Sequence, residues 1–138
     1  MYKEIYLVDD EELINTIHAL MFRKLGFEDK LRSFTNPELA LDCIRFRENP
    51  EERILLFLDI NMPEMTGFEF FEFMYLEKIP PTIDIVIVSS SIDEKDNKKA
   101  ATYTKYVRGY VNKPLASSDI AKFLGIEQAI SSPMTSLT

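Results

Sequence analysis

At 138 residues and 46% hydrophobic content, the chain has enough apolar material for one domain with a real core and gives no reason to divide it. A formal charge of -7 argues against a nucleic-acid-binding surface, which would need clustered Lys and Arg, and favours cationic or metal partners. No charged-then-apolar leader opens the sequence, no apolar run reaches the roughly 18 residues of a membrane span, and the single cysteine, Cys43, cannot form an internal disulfide; a cytoplasmic protein is expected.

In chain order, Glu4 to Val8 predicts a first strand, which runs into the acids Asp9, Asp10, Glu11 and Glu12. Glu11 and Glu12 suit the first turn of a helix, where they complement its dipole, but that explains Asp9 and Asp10 poorly. The following helix, about Glu11 to Leu25, has Leu13, Ile14, Ile17, Leu20, Met21 and Leu25 as its apolar stripe, with Gly26 as the stop. His18 falls inside it and reads as a partly exposed bystander. A short strand near Lys30 to Phe34 precedes a helix capped by Asn36-Pro37, whose buried stripe is Leu39, Ala40, Cys43, Ile44 and Phe46.

Ile54 to Leu58 is apolar without alternation, the pattern of a strand covered on both faces, and it delivers Asp59. Pro63 and Gly67 punctuate a sharp loop before a helix from Thr66 to Lys78, so rich in rings that some must be exposed. Phe73 and Tyr75 stand there as candidates for a partner or dimer surface, with cover by a neighbouring loop as the alternative. Ile83 to Val88 is a fourth buried strand, ending in Ser89-Ser90-Ser91. Asp93 caps a thinly apolar helix reaching about Thr104, and Val107 to Val111 gives a fifth strand closed by Asn112-Lys113-Pro114. A last helix starts near Ser117, carries Ile120, Ala121, Phe123 and Leu124, and is weakened by Gly125 before Ile126, Ala129 and Ile130.

Five strands alternating with five helices predict an α/β, doubly wound parallel sheet with helices on both faces. Right-handed crossovers bring every strand's carboxyl end to one edge, where such sheets bind ligands. That gathers Asp9, Asp10, Asp59, Ser89 and Lys113 from more than a hundred positions of sequence. Three close carboxylates either take up protons or hold a cation, and an all-oxygen set with few ligands favours Mg²⁺ or Mn²⁺. With a lysine and a hydroxyl beside one carboxylate, the chemistry is phosphoryl transfer, with Asp59 as nucleophile forming an acyl phosphate.

Asp9-Asp10, Asp59 with Met62-Pro63 and Gly67, Ser89, and Lys113-Pro114 together resemble the receiver domain of two-component response regulators. The resemblance spans about Lys3 to Ile130 and implies a flavodoxin-like strand order of 2-1-3-4-5, for which receivers are a type case. It further implies that Asp59 is the phosphoacceptor, that Asp10, Asp59 and the Asn61 backbone carbonyl hold Mg²⁺, and that Asp9 acts largely through water. Ser89 and Lys113 would contact the phosphoryl group, Lys113-Pro114 would be a cis peptide, and Tyr110 would be the switch aromatic that follows Ser89. Asn61 and Ser91 occupy positions that tune acyl-phosphate lifetime in that family. The pair Tyr106-Val107 departs from the usual Gly-Ala, so the turn before the fifth strand lacks its usual glycine cap.

The organisation expected is a receiver over 1–130 and a short tail over 131–138 with no output domain. Its partners would be a sensor histidine kinase or histidine phosphotransfer protein, a downstream protein target bound by the face of the fourth helix, fifth strand and fifth helix, and optionally a second copy in a homodimer. Neither nucleic acid nor membrane insertion is expected, and the domain signals rather than acting as an enzyme. One rival, a haloacid-dehalogenase-like phosphatase, would want a second Asp two residues after the nucleophile, where this chain has Asn61. The other is a receiver fold used as a binding module without phosphate, against which the full set of acids speaks.

Overall fold

The computed structural model describes residues 1–90 and 94–126. Strands β1 (Glu4–Val8), β2 (Leu31–Phe34), β3 (Ile54–Asp59), β4 (Ile83–Ser89) and β5 (Val107–Asn112) alternate with helices α1 (Glu12–Lys24), α2 (Pro37–Arg45), α3 (Gly67–Leu76), α4 (Glu94–Ala100) and α5 (Ser117–Leu124). The sheet is wholly parallel with order β2-β1-β3-β4-β5. Five parallel strands in that order with helices on both faces make a flavodoxin-like fold, as the sequence pattern leads one to expect.

The unbroken apolar runs are explained by two cores, one on each face. Every residue of β3 and β4 is buried. Tyr6, Val8, Leu56, Leu58, Ile85 and Ile87 pack with α2 and α3 on one side, while Ile5, Leu7, Leu55, Phe57, Val86 and Val88 pack with α1 and α5 on the other. Burying each such side chain is worth about 2 kcal/mol, so these strands anchor the sheet and hold their carboxyl ends in fixed places.

Two helices face differently from the stripes their sequences suggest. In α1 the buried residues are Asn15, His18 and Phe22, whereas Leu13, Ile17 and Leu20 are 68%, 39% and 45% exposed. In α2 the buried set is Pro37, Ala40, Leu41 and Ile44; Leu39 and Phe46 are exposed and Cys43 is half-buried. The helix is turned so that Pro37 and Leu41, four residues apart, meet the sheet.

Helix α3 starts with a reciprocal capping box, Thr66 Oγ1 accepting from the Glu69 N–H and Glu69 Oε1 from the Thr66 N–H. Ahead of it, the loop folds back so tightly that a Cβ at Gly67 would lie 2.7 Å from Ile60 Cγ2. Phe73 is partly exposed, while Tyr75 is half-buried against the rings of Tyr103 and Tyr106, so the α4–β5 loop covers part of the aromatic surplus. Helix α4 ends at Ala100, earlier than the sequence suggests, and Ala100 is its one buried residue; Asp93, its expected cap, and Ser91 lie outside the described residues.

At the pair Tyr106-Val107 before the last strand, the buried Tyr106 donates its hydroxyl to the carbonyl oxygens of Ile79 at 2.5 Å and Met74 at 3.3 Å. Burial, with help from Tyr75, pushes that phenol up to about 12. Gly125 terminates α5 outright: it adopts φ of 72°, which only glycine takes freely, so the helix does not continue to Ile126. Ala129, Ile130 and the expected tail lie outside the described residues.

Candidate functional site

Four of the five strands deliver a polar residue to the site at the carboxyl edge. Asp9 and Asp10 follow β1, Asp59 closes β3, Ser89 closes β4, and Lys113 follows β5. The Lys113 N–H donates to the Ser89 carbonyl at 2.9 Å, extending the β4–β5 ladder by one rung and so fixing where the lysine side chain starts.

That side chain reaches across the edge. Its ammonium lies 2.5 Å from Asp9 Oδ2 and 3.3 Å from Asp59 Oδ2. Asp9 and Asp59 are both buried. Burial works against the charge on Lys113, but the hydrogen bonds and charges of Asp9 and Asp59 outweigh it and hold its pKa above the ordinary value. The remaining carboxylate oxygens are held by backbone amides two residues on: Asp9 Oδ1 accepts from the Glu11 N–H at 2.9 Å and Asp59 Oδ1 from the Asn61 N–H at 3.0 Å.

Asp9, Asp10 and Asp59 can each offer an oxygen within 4.8 Å of the others. Ligand oxygens on an octahedral Mg²⁺ are about 3 Å apart when adjacent and about 4.2 Å apart when opposite, so the set is near enough to close around an ion by side-chain adjustment. Three carboxylates against one ammonium leave negative charge that a dication would balance, and the donor set fits the hard cation expected. Ser89 is fully buried, and its Oγ accepts from the exposed Asn61 side chain at 3.3 Å. Tyr110 on β5 is half-buried against the core face that carries α2 and α3.

Two buried polar residues beneath this edge were not legible as such. His18 is 3% exposed rather than a bystander at the surface, and its Nε2 accepts from the Leu115 N–H at 3.1 Å. Burial lowers its pKa below 6.5, Asp9 opposing and Lys113 reinforcing that shift. Asn15 donates through Nδ2 to the carbonyl oxygens of Asp9 and Phe34, both at 3.0 Å. The one signal in the sequence is that the two lie three residues apart, on one face of the helix. At the opposite end of the sheet, the buried Asp84 is paired with Arg53 and Arg108 and accepts from the Tyr2 hydroxyl. A bulge in β5 between the Ile85 and Val86 pairings aims Arg108 at it.

A flavodoxin-like sheet with three acids and a lysine at its carboxyl edge defines a receiver-type signalling domain. The chain belongs to the response regulator receiver domain family, whose model matches residues 5–124. It is 27% identical over 124 residues to a probable methanogenesis regulatory protein, FilR2, of Methanothrix harundinacea, covering 86% of this chain and 76% of that one. A two-component response regulator from Legionella pneumophila superposes with a TM-score of 0.73 at 26% identity, covering 91% of this chain and 98% of its own. One from Cytophaga hutchinsonii shares the fold with a TM-score of 0.75 at 21% identity, over 91% of this chain and 96% of its own. Members of this family signal through histidine kinases or phosphotransfer proteins and through effectors; they are not enzymes in the ordinary sense. No described helix is long and apolar enough to cross a membrane.

Proposed function

We propose that this domain accepts a phosphoryl group on Asp59 from a phosphohistidine donor. A carboxylate oxygen of Asp59 attacks phosphorus, the donor's N–P bond breaks, and the imidazole leaves with the bonding pair and picks up a proton. Lys113, 3.3 Å from Asp59 Oδ2, neutralises charge on the transferring group, and this placement is the observation that carries the reading. Asp10 and Asp59, with the Asn61 carbonyl, would hold Mg²⁺, and Asp9, which takes the closer of the two Lys113 contacts, would act through water. The ion would draw the phosphoryl oxygens into the site and offset their charge.

Ser89 would donate to the phosphoryl group once formed, and Tyr110 would follow it inward, altering the α4–β5–α5 face for a downstream protein target, a relay partner or a second copy in a homodimer. The donor would dock on the outer apolar stripe of α1, Leu13, Ile17 and Leu20, which begins three residues after Asp10. A cytoplasmic setting, where such donors and a free Cys43 thiol persist, completes the reading.

The test is direct. Incubation with acetyl phosphate and Mg²⁺ adds one phosphoryl mass to the wild type and none to Asp59→Asn. An equal mass gain in both would overturn the assignment, and release of phosphate from small phosphate esters would point to a phosphatase instead.

A further inference from the structure

We propose that His18 is a positioning residue for phosphoryl transfer: through Nε2 it fixes the backbone of Leu115 and thereby the Lys113 ammonium over Asp59. The proposal rests on Asp59 being the phosphoacceptor.

Lys113 stands at the head of a short connection between β5 and α5 whose backbone has few anchors. Pro114 has no N–H to give. The Lys113 N–H is taken by the Ser89 carbonyl and the Ala116 N–H by Asp119 Oδ2, leaving Leu115 as the one donor between them. That N–H goes to His18, from a helix 97 positions earlier in the chain, and the bond is buried. Since a hydrogen bond donated to Nε2 requires that nitrogen to carry no proton, the ring is the neutral tautomer protonated on Nδ1.

The same face of α1 grips the other side of the pocket. Asn15 binds the Asp9 and Phe34 carbonyls and is held there although its buried Oδ1 finds no partner among the described residues. A helix core position filled by a half-satisfied amide and a neutral imidazole is poor packing, since each unsatisfied group costs stability. It makes sense as a clamp: one helix ties the end of β1, the end of β2 and the β5–α5 connection into a single body. His18, Asn15, Asp9 and Asp59 also line a common cavity of about 10 Å³, which places the imidazole beside the acids that Lys113 bridges.

Three substitutions separate positioning from packing. His18→Leu fills the space with no acceptor, His18→Asn has an acceptor too short to reach, and His18→Gln puts its Oε1 near the place of Nε2. With acetyl phosphate and Mg²⁺, Leu and Asn variants are expected to label Asp59 at a maximal rate about fivefold lower, the worth of one hydrogen bond, with KM little changed. His18→Gln is expected to restore the rate, and amide exchange at Leu115 to speed up in His18→Leu and His18→Asn but not in His18→Gln.

Labelling of the wild type on Asp59 checks the underlying reading separately, and Leu115 exchange is readable whether or not labelling occurs. The proposal is overturned if folded Leu and Asn variants label at the wild-type rate. It is equally overturned if His18→Gln is as slow as His18→Leu, or if Leu115 exchange is unaltered in His18→Leu and His18→Asn. Should Leu fail to fold, the Asn and Gln pair decides by the same criteria.

Discussion

At the scale of single residues, the pocket is governed by how few cations serve how many acids. Lys113 is the positive charge within reach of both Asp9 and Asp59 among the described ion pairs, and it is largely enclosed. Truncating one partner of a buried pair leaves the other charges desolvated and uncompensated, which costs roughly 3 kcal/mol. Lys113→Ala is therefore expected to unfold at lower denaturant in metal-free buffer by about that amount, measured by urea titration, with Mg²⁺ recovering part of the loss. An unchanged midpoint would mean that the acids are already relieved by water. The contrast with Asp84 is instructive. Its two arginines are each roughly half exposed, 46% for Arg53 and 40% for Arg108, so loss of either leaves a partner and a route to solvent. The strand-end acids were legible because a buried strand has no structural use for a terminal carboxylate. Asp84 was not, because its partners come from Tyr2, Arg53 and a bulge that no periodicity announces.

At the scale of elements, helix α1 is where sequence pattern and structure part company. Leu13, Ile14, Ile17, Leu20, Met21, Phe22 and Leu25 spread over more than half of the helix circumference, wider than one buried stripe, so hydrophobic spacing alone does not choose a face. The choice is made by Asn15 and His18, whose partners Phe34 and Leu115 lie in distant segments, and satisfying those backbone groups turns Leu13, Ile17 and Leu20 outward. By contrast β3, with its unbroken apolar run, and β4, apolar from Ile85 to Val88, could sit nowhere but in the sheet's interior. An apolar stripe beside the acid pocket is suited to a protein donor and irrelevant to a small one. Leu13→Asp with Ile17→Asp is thus expected to lower kcat/KM for transfer from a phosphohistidine protein by roughly tenfold or more, while the rate with acetyl phosphate stays within a factor of about two. Equal slowing with both donors would place the stripe's role in stability instead.

At the scale of the whole molecule, the sheet does one thing that no single element does: it brings acids from β1 and β3 and a lysine from beyond β5 into mutual reach. Their repulsion is built into the folded state and relaxed in the unfolded chain, where the three carboxylates drift apart. A cation held by the gathered set therefore binds the native state far better than the unfolded one, and it stabilises the fold by mass action. With Mg²⁺ at about ten times its dissociation constant the gain is about 1.4 kcal/mol. For a domain of this size that is a rise of roughly 5 °C in Tm. Asp10→Ala removes one oxygen ligand without touching the Lys113 bridge between Asp9 and Asp59, so its metal-free Tm should stay near or above the wild-type value while its Mg²⁺-dependent rise shrinks to under half. Differential scanning calorimetry at several Mg²⁺ concentrations reads both quantities. Equal rises in the two proteins would show that the ion acts elsewhere on this acidic surface and that the gathered carboxylates are not its site.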